Sequence, residues 1–322
     1  MRVLIYLPLV LSVLAAVGAW PLAERLPPRT ATWLLTVSAV VMAGSSCAVL
    51  GLLAMTAAIR LPAIAAFGGM SLRTVTHLDP APLPVGVIAA GLFGVAALAV
   101  ARAALLRTVA LVGARRDAGR LADDGQLAND GQVVTVADDN ADAYAVPGLP
   151  GKIVVTSGML EVLSEAEREV LLAHERAHVS ASHYLFTALV RLSAAANPLL
   201  RPLATAVGYS VERWADERAA IVTGNRPLVA RTIAKAALAS AVAPGLRAGA
   251  AAVVARLTGT SKPGRRGSVP RRVTALLAPP PQRRVVLLAL AIVVLAACGL
   301  AAVDAAGDLH AIVEFAQSAA LS

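Results

Sequence analysis

From Ser164 to Val179 the chain reads SEAEREVLLAHERAHV, and the rest of the sequence is best read outward from this stretch. Ser164 is a helix N-cap residue, and Glu167 three positions on completes a capping box. Glu165 and Glu167 also suit the positive end of a helix dipole. A helix is therefore predicted from Glu165 to about Val179, with Val170, Leu171, Leu172 and Ala173 turned to the core. His174 and His178 stand at i and i+4, so they share one face and can grip one metal ion together. Glu175 is rotated by about 100° from His174, placed to reach a water molecule without entering the ligand set. With zinc bound, that water becomes acidic enough for Glu175 to take its proton during attack on a peptide carbonyl. The proton then passes to the leaving amine. The chain has only five His, so two at this spacing around a Glu are a specific signal. A solvated, charged helix face is the plain alternative.

Two imidazoles do not complete a site. Residues 212–216 read ERWAD, and Glu212 supplies the carboxylate of a His2Glu set that leaves a fourth position open. Asp216, four residues on, is placed to accept the free ring N–H of a ligating His. One zinc ion per chain is expected. His183 competes as third ligand, but the metzincin spacing puts a third His six residues after the second, with a Gly between. Here position 184 is Tyr, and Ala181 stands where that Gly would be. His183 is thus read as a helix-end residue or a partner behind a ligand. Arg218 and Tyr209 are weighed as groups near a developing oxyanion. His77 and His310 are read as surface histidines, and Cys47 and Cys298 as small apolar residues within spans.

Composition places this chemistry at a membrane. The hydrophobic fraction is 57% and the charged fraction 15%, against about a quarter charged in soluble domains. Four apolar runs are long enough to cross a bilayer: Leu4–Trp20, Thr32–Ala58, Leu83–Ala101 and Val285–Val303. The first also fits a cleavable signal peptide, although Trp20 and Pro21 give no polar mature start. The net charge of +9 is uneven. Arg102, Arg107, Arg115, Arg116 and Arg120 follow the third run. Lys262, Arg265, Arg266, Arg271, Arg272, Arg283 and Arg284 precede the fourth, and the tail after Val303 carries Asp304, Asp308 and Glu314 with no Lys or Arg. The positive-inside rule then makes the long intervening segment cytoplasmic and the tail external. These cations flank spans and lack interleaved aromatics, so nucleic acid is not an expected partner. The expected partners are the lipid bilayer and a protein or peptide substrate, at the cell membrane. The Arg- and Ala-rich usage suggests a bacterium.

The fold class expected is mainly α, with about four transmembrane helices and an α+β, gluzincin-like domain inserted between the third and fourth. The predicted boundaries are 1–108 for a three-helix membrane region, 109–282 for the insert, 283–305 for the last span and 306–322 for a short tail. Within the insert, Gln132–Ala137 and Lys152–Thr156 read as strands, with Ala141–Val146 between them as a possible third. Tyr144 and its neighbours offer an edge along which an extended peptide could be added. Helices are predicted over about 198–208, 209–222, 227–241 and 245–257, and Lys262–Arg272 reads as a Pro/Gly/Arg-rich link.

The ordered motifs resemble the BlaR/MecR-type membrane metallopeptidases, the antirepressor and β-lactam sensor-transducer family. The likeness is carried by three spans, IVVTSGML (Ile153–Leu160), LLAHERAH (Leu171–His178), Asn197-Pro198-Leu199, ERWAD (Glu212–Asp216) and a fourth span, over about residues 85–305. It implies a cytoplasmic gluzincin peptidase with His174, His178 and Glu212 as zinc ligands and Glu175 as general base. Two departures stand out. Only about 19 residues follow the fourth span, so the penicillin-binding sensor domain is missing, and His183 occupies a position where that family usually has Asp. The heat-shock membrane zinc proteases share the same pattern but tend to carry spans between the two motifs. Here Arg191, Asn197 and Arg201 make Tyr184–Gly208 a poor span. The remaining alternatives are a catalytically silent receptor or scaffold, and a hydrolase of non-peptide amides.

Overall fold

The computed structural model describes residues 7–61, 83–123, 127–128, 132–148, 150–242 and 268–279, with scattered helical positions beyond 288. The elements in order are α1 (Leu7–Arg25), α2 (Pro28–Ala58), α3 (Leu83–Asp123), β1 (Leu127–Ala128), β2 (Val133–Val136), β3 (Ala143–Val146), β4 (Lys152–Thr156), α4 (Ser157–Val162), α5 (Glu165–Ser180), α6 (His183–Ala196), a 3-10 turn (Pro198–Leu200), α7 (Arg201–Thr223), α8 (Arg226–Val242) and α9 (Ser268–Leu277).

Among the described residues, two helices are long and apolar enough to cross a membrane, Pro28–Ala58 and Leu83–Arg120. The second leaves Val87, Ile88, Val95 and Leu98 well over half exposed, a run of apolar surface that water does not favour and lipid accepts. Its 41 residues extend about 60 Å, twice the roughly 30 Å of a hydrocarbon core. The surplus passes residue 108 without a break, and Ala114 and Ala118 near its end pack on Val134, Val146 and Val154 of the sheet. One rigid rod thus joins an apolar segment to the sheet. Close approach of α2 and α3 depends on Gly86, where a Cβ would stand 2.6 Å from that of Ala57. The predicted first span is a helix, α1, packed on α2 and α7. The predicted fourth span, the helix at 245–257, His77, Cys298 and His310 lie wholly or largely outside the described residues.

The sheet has four strands in the order β1-β2-β4-β3. β4 runs parallel to β2 and antiparallel to β3, with Val133 opposite Ile153 and Tyr144 opposite Val154. β3 is an edge strand. The opposite face of the sheet, through Val133, Ile153 and Val155, packs on Met159, Leu163 and Leu171 of α4, the following turn and α5.

Three helical predictions need correction. The expected pair at 198–208 and 209–222 is one continuous helix, α7, entered through the 3-10 turn and stopped by Gly224 at φ 64°. Gly208 lies buried inside α7. A mid-helix Gly costs about 1 kcal/mol relative to Ala, and packing against α1 and α2 overrides it. An additional helix, α6, fills His183–Ala196 and packs on α2 and α3. Finally, the predicted link ending at Arg272 ends in a helix: residues 268–277 form α9, with Pro270 tolerated in its first turn. A buried cluster of α1, α2, α6 and α7 includes Leu35, Met42, Val190, Leu203 and Val207.

Candidate metal centre and active site

α5 is fixed at its start as the sequence predicts. Ser164 Oγ accepts from the Glu167 amide, and the Glu167 carboxylate accepts from the Ser164 amide. Val170 and Ala173 then bury against Ala219 and Ala220 of α7. That packing turns His174 and His178 toward Glu212. The two Nε2 atoms stand 3.1 Å apart, and Glu212 oxygens lie 3.8 Å from His174 Nε2 and 3.9 Å from His178 Nε2. These three side chains form a group able to hold a metal ion. Donor atoms each about 2.0–2.2 Å from a tetrahedral zinc ion stand roughly 3.3–3.5 Å apart. The observed spacings bracket that range, so two imidazoles and one carboxylate fit the ion the sequence implies.

The far side of each imidazole is also occupied. His174 Nδ1 lies 3.0 Å from Asp216 Oδ1, a carboxylate placed to favour the proton on Nδ1, which would leave the Nε2 lone pair facing Glu212. His178 Nδ1 lies 3.0 Å from His183 Nδ1. Burial pushes the His183 pKa down to about 2, so this ring is neutral and can accept the His178 Nδ1 proton. The contact arises from a tight reversal between α5 and α6, in which Ser182 adopts the left-handed conformation at φ 51°. His183 is buried and lies against the Trp214 ring, with centroids 4.7 Å apart.

Glu175 is 8% exposed. Burial, with Glu212 and Asp142 adding like charge and His174 partly opposing them, raises its pKa to about 7. A carboxyl group poised near neutrality can both take and return a proton.

The residue the sequence reading missed is Arg272. Its Nε and Nη2 donate to the two oxygens of Asp216 at 2.7 and 2.6 Å, a bidentate pair, and its Nη1 lies 3.0 Å from Glu212 Oε2. Burial opposes ionisation of Asp216, but Arg272 and His174 outweigh it and hold the carboxyl below its usual range. His174, by contrast, is raised: burial would lower it, and the Asp216 bond and charge prevail. One guanidinium therefore holds both acids of the ERWAD segment. The only sequence signal was amphipathic: Val273 and Leu276 share a face of 268–277 that joins the α5–α7–α8 core.

The centre opens into a cavity of about 560 Å³. α3 contributes Arg107 and Leu111, the edge strand β3 contributes Tyr144, and Glu175, Glu212 and Arg272 line it as well. Neither residue weighed for the oxyanion lines it. Arg218 is exposed, and Tyr209 stacks on Trp20 at 5.1 Å.

No curated protein and no solved structure matches the chain. The finer likeness to BlaR/MecR-type peptidases is carried by no comparison. Residues 114–247, less than half of the chain, match the model of Peptidase family M48, from the sheet-packed end of α3 to just past α8, and this match supports a zinc metallopeptidase.

Proposed function

We propose that the chain is a membrane-embedded, zinc-dependent endopeptidase acting on protein substrates at the cytoplasmic membrane face. The observation that carries this reading is the meeting of His174, His178 and Glu212 from two helices, with Glu175 buried beside them. His174, His178 and Glu212 would hold the ion. Bound zinc supplies Lewis acidity, which lowers the pKa of a water molecule and polarises a carbonyl. The chain's own residues do the rest. Asp216 and His183 hold the two imidazoles in register, and Arg272 orients Glu212. Glu175 accepts the proton of the attacking water and returns it to the departing amine. An extended substrate would pair along the free edge of β3, where backbone hydrogen bonds confer sequence tolerance.

The arginines in the second half of α3, past the predicted third span, and those before the predicted last span favour a cytoplasmic catalytic domain in a multi-pass chain. The order of motifs shared with BlaR/MecR-type peptidases favours a regulatory protein as substrate; quality-control proteolysis, as in heat-shock-type membrane proteases, is the rival role. The test uses purified full-length protein. Metal analysis should give one zinc per chain, lost in His174→Ala and Glu212→Ala. Glu175→Gln should keep its zinc while proteolysis falls by about 10³-fold. Zinc retained by the Glu212→Ala variant, or undiminished proteolysis by Glu175→Gln, would sink the proposal.

A further inference from the structure

The cavity beside the metal centre contains two arginines in opposite circumstances. Arg272 is fully engaged by Asp216 and Glu212. Arg107, on the α3 wall, has a buried Nη1 that donates to no group, and no carboxylate lies within ion-pair distance of it among the described residues. A buried cationic donor without a partner is costly, and here it stands in a chamber open to a ligand. Its planar fork matches a carboxylate in two-point geometry. Ala104 and Leu111, one turn to either side of Arg107 on α3, are apolar lining, which limits the water competing for the pair, while the acids Asp142, Glu175 and Glu212 also line the chamber. β3 lines the same cavity through Ala143, Tyr144 and Ala145, so a peptide laid along that edge enters the chamber that contains the guanidinium.

We infer that Arg107 is a specificity-determining residue that seats a substrate carboxylate, so that the preferred substrates carry an acidic group at a fixed distance from the scissile bond, flanked by apolar residues. This rests on the peptidase reading and deepens it. The carboxylate has two possible sources, an Asp or Glu side chain or the free end of a chain, and the experiment separates them.

Full-length protein in lipid nanodiscs, loaded with zinc, is incubated with a proteome-derived peptide library prepared with free or amidated carboxyl ends, and the cleaved bonds are read by mass spectrometry. The wild type should enrich acidic residues at one position by about tenfold over their amides, or free ends by the same factor over amidated ones. Arg107→Gln should bring that ratio close to one at unchanged zinc content. Arg107→Lys should keep part of it, and Arg107→Glu should shift the preference toward Lys and Arg. Two outcomes overturn the inference: a wild-type profile indifferent to carboxylates, or a carboxylate preference that persists in Arg107→Gln. A wild type that binds zinc and cuts nothing sinks the peptidase reading itself, and the anchor with it.

Discussion

Arg272 and Arg107 line one cavity from different helices, yet only one of them is neutralised by the protein. Arg272 comes from α9, and every polar contact it makes ties that helix to the ERWAD acids. Arg107 comes from α3 and has a donor left over. A buried cation whose charge is matched belongs to the architecture. A half-buried one with a buried donor left unpaired is available to something arriving from outside. The contrast separates the groups that build the centre from the group that would select what enters it.

The comparison breaks first at Arg272. Replacing it with Met should cost roughly 3–5 kcal/mol, because Asp216 would be left buried and charged, and denaturant unfolding of the zinc-free protein measures this. A loss below about 1 kcal/mol would place Arg272 with Arg107 rather than against it. Asp216→Asn sharpens the role of the same pair. Zinc affinity should fall about 10- to 100-fold as His174 loses the group that fixes its tautomer, read by competition with a chelator. Arg226 supports the arrangement one step further out: it pairs with Glu217, and its Nε and Nη2 donate to the carbonyls of Leu276 and Ala275 at 2.9 and 3.1 Å, clamping α9. Arg226→Ala should lower stability by about 1 kcal/mol and weaken zinc binding only slightly. Arg107→Met stands at the other end of the scale. Removing an unpaired cation should change stability by less than about 1 kcal/mol, and a loss as large as that of Arg272→Met would mean that Arg107 is structural.

How much of this was legible in the sequence follows from how local each signal is. The capping box at Ser164–Glu167 and the spacing of His174, Glu175 and His178 are written within one helix, and the structure shows that helix with its cap intact. The strands Val133–Val136 and Lys152–Thr156 stood out for the same reason. Gly208 misled because a glycine reads locally as punctuation, whereas here it lies buried in a long helix packed against the amino-terminal ones. Helix α6 hid behind a sharp reversal at Ser182, a residue type that does not advertise positive φ. Arg272 was out of reach altogether. Its significance lies in meeting residues 56 positions away, and nothing near it distinguishes it from the other arginines of the same segment.

The amino-terminal helix bears on biogenesis. Asn197 donates to Ser12 and to Ser46 at 3.0 and 3.1 Å, and Arg213, 5% exposed, donates to the Ala23 carbonyl at 2.6 Å. Trimming the chain after residue 19, as a leader-processing enzyme would, strips Ser12 from the Asn197 amide and frays the turn that presents Ala23 to Arg213. The lost Asn197–Ser12 bond would cost about 1 kcal/mol, a noticeable share of the 5–15 kcal/mol that keeps a domain folded. In the full-length chain, the segment that also fits an export signal packs as a stave of the bundle, against α2 and α7.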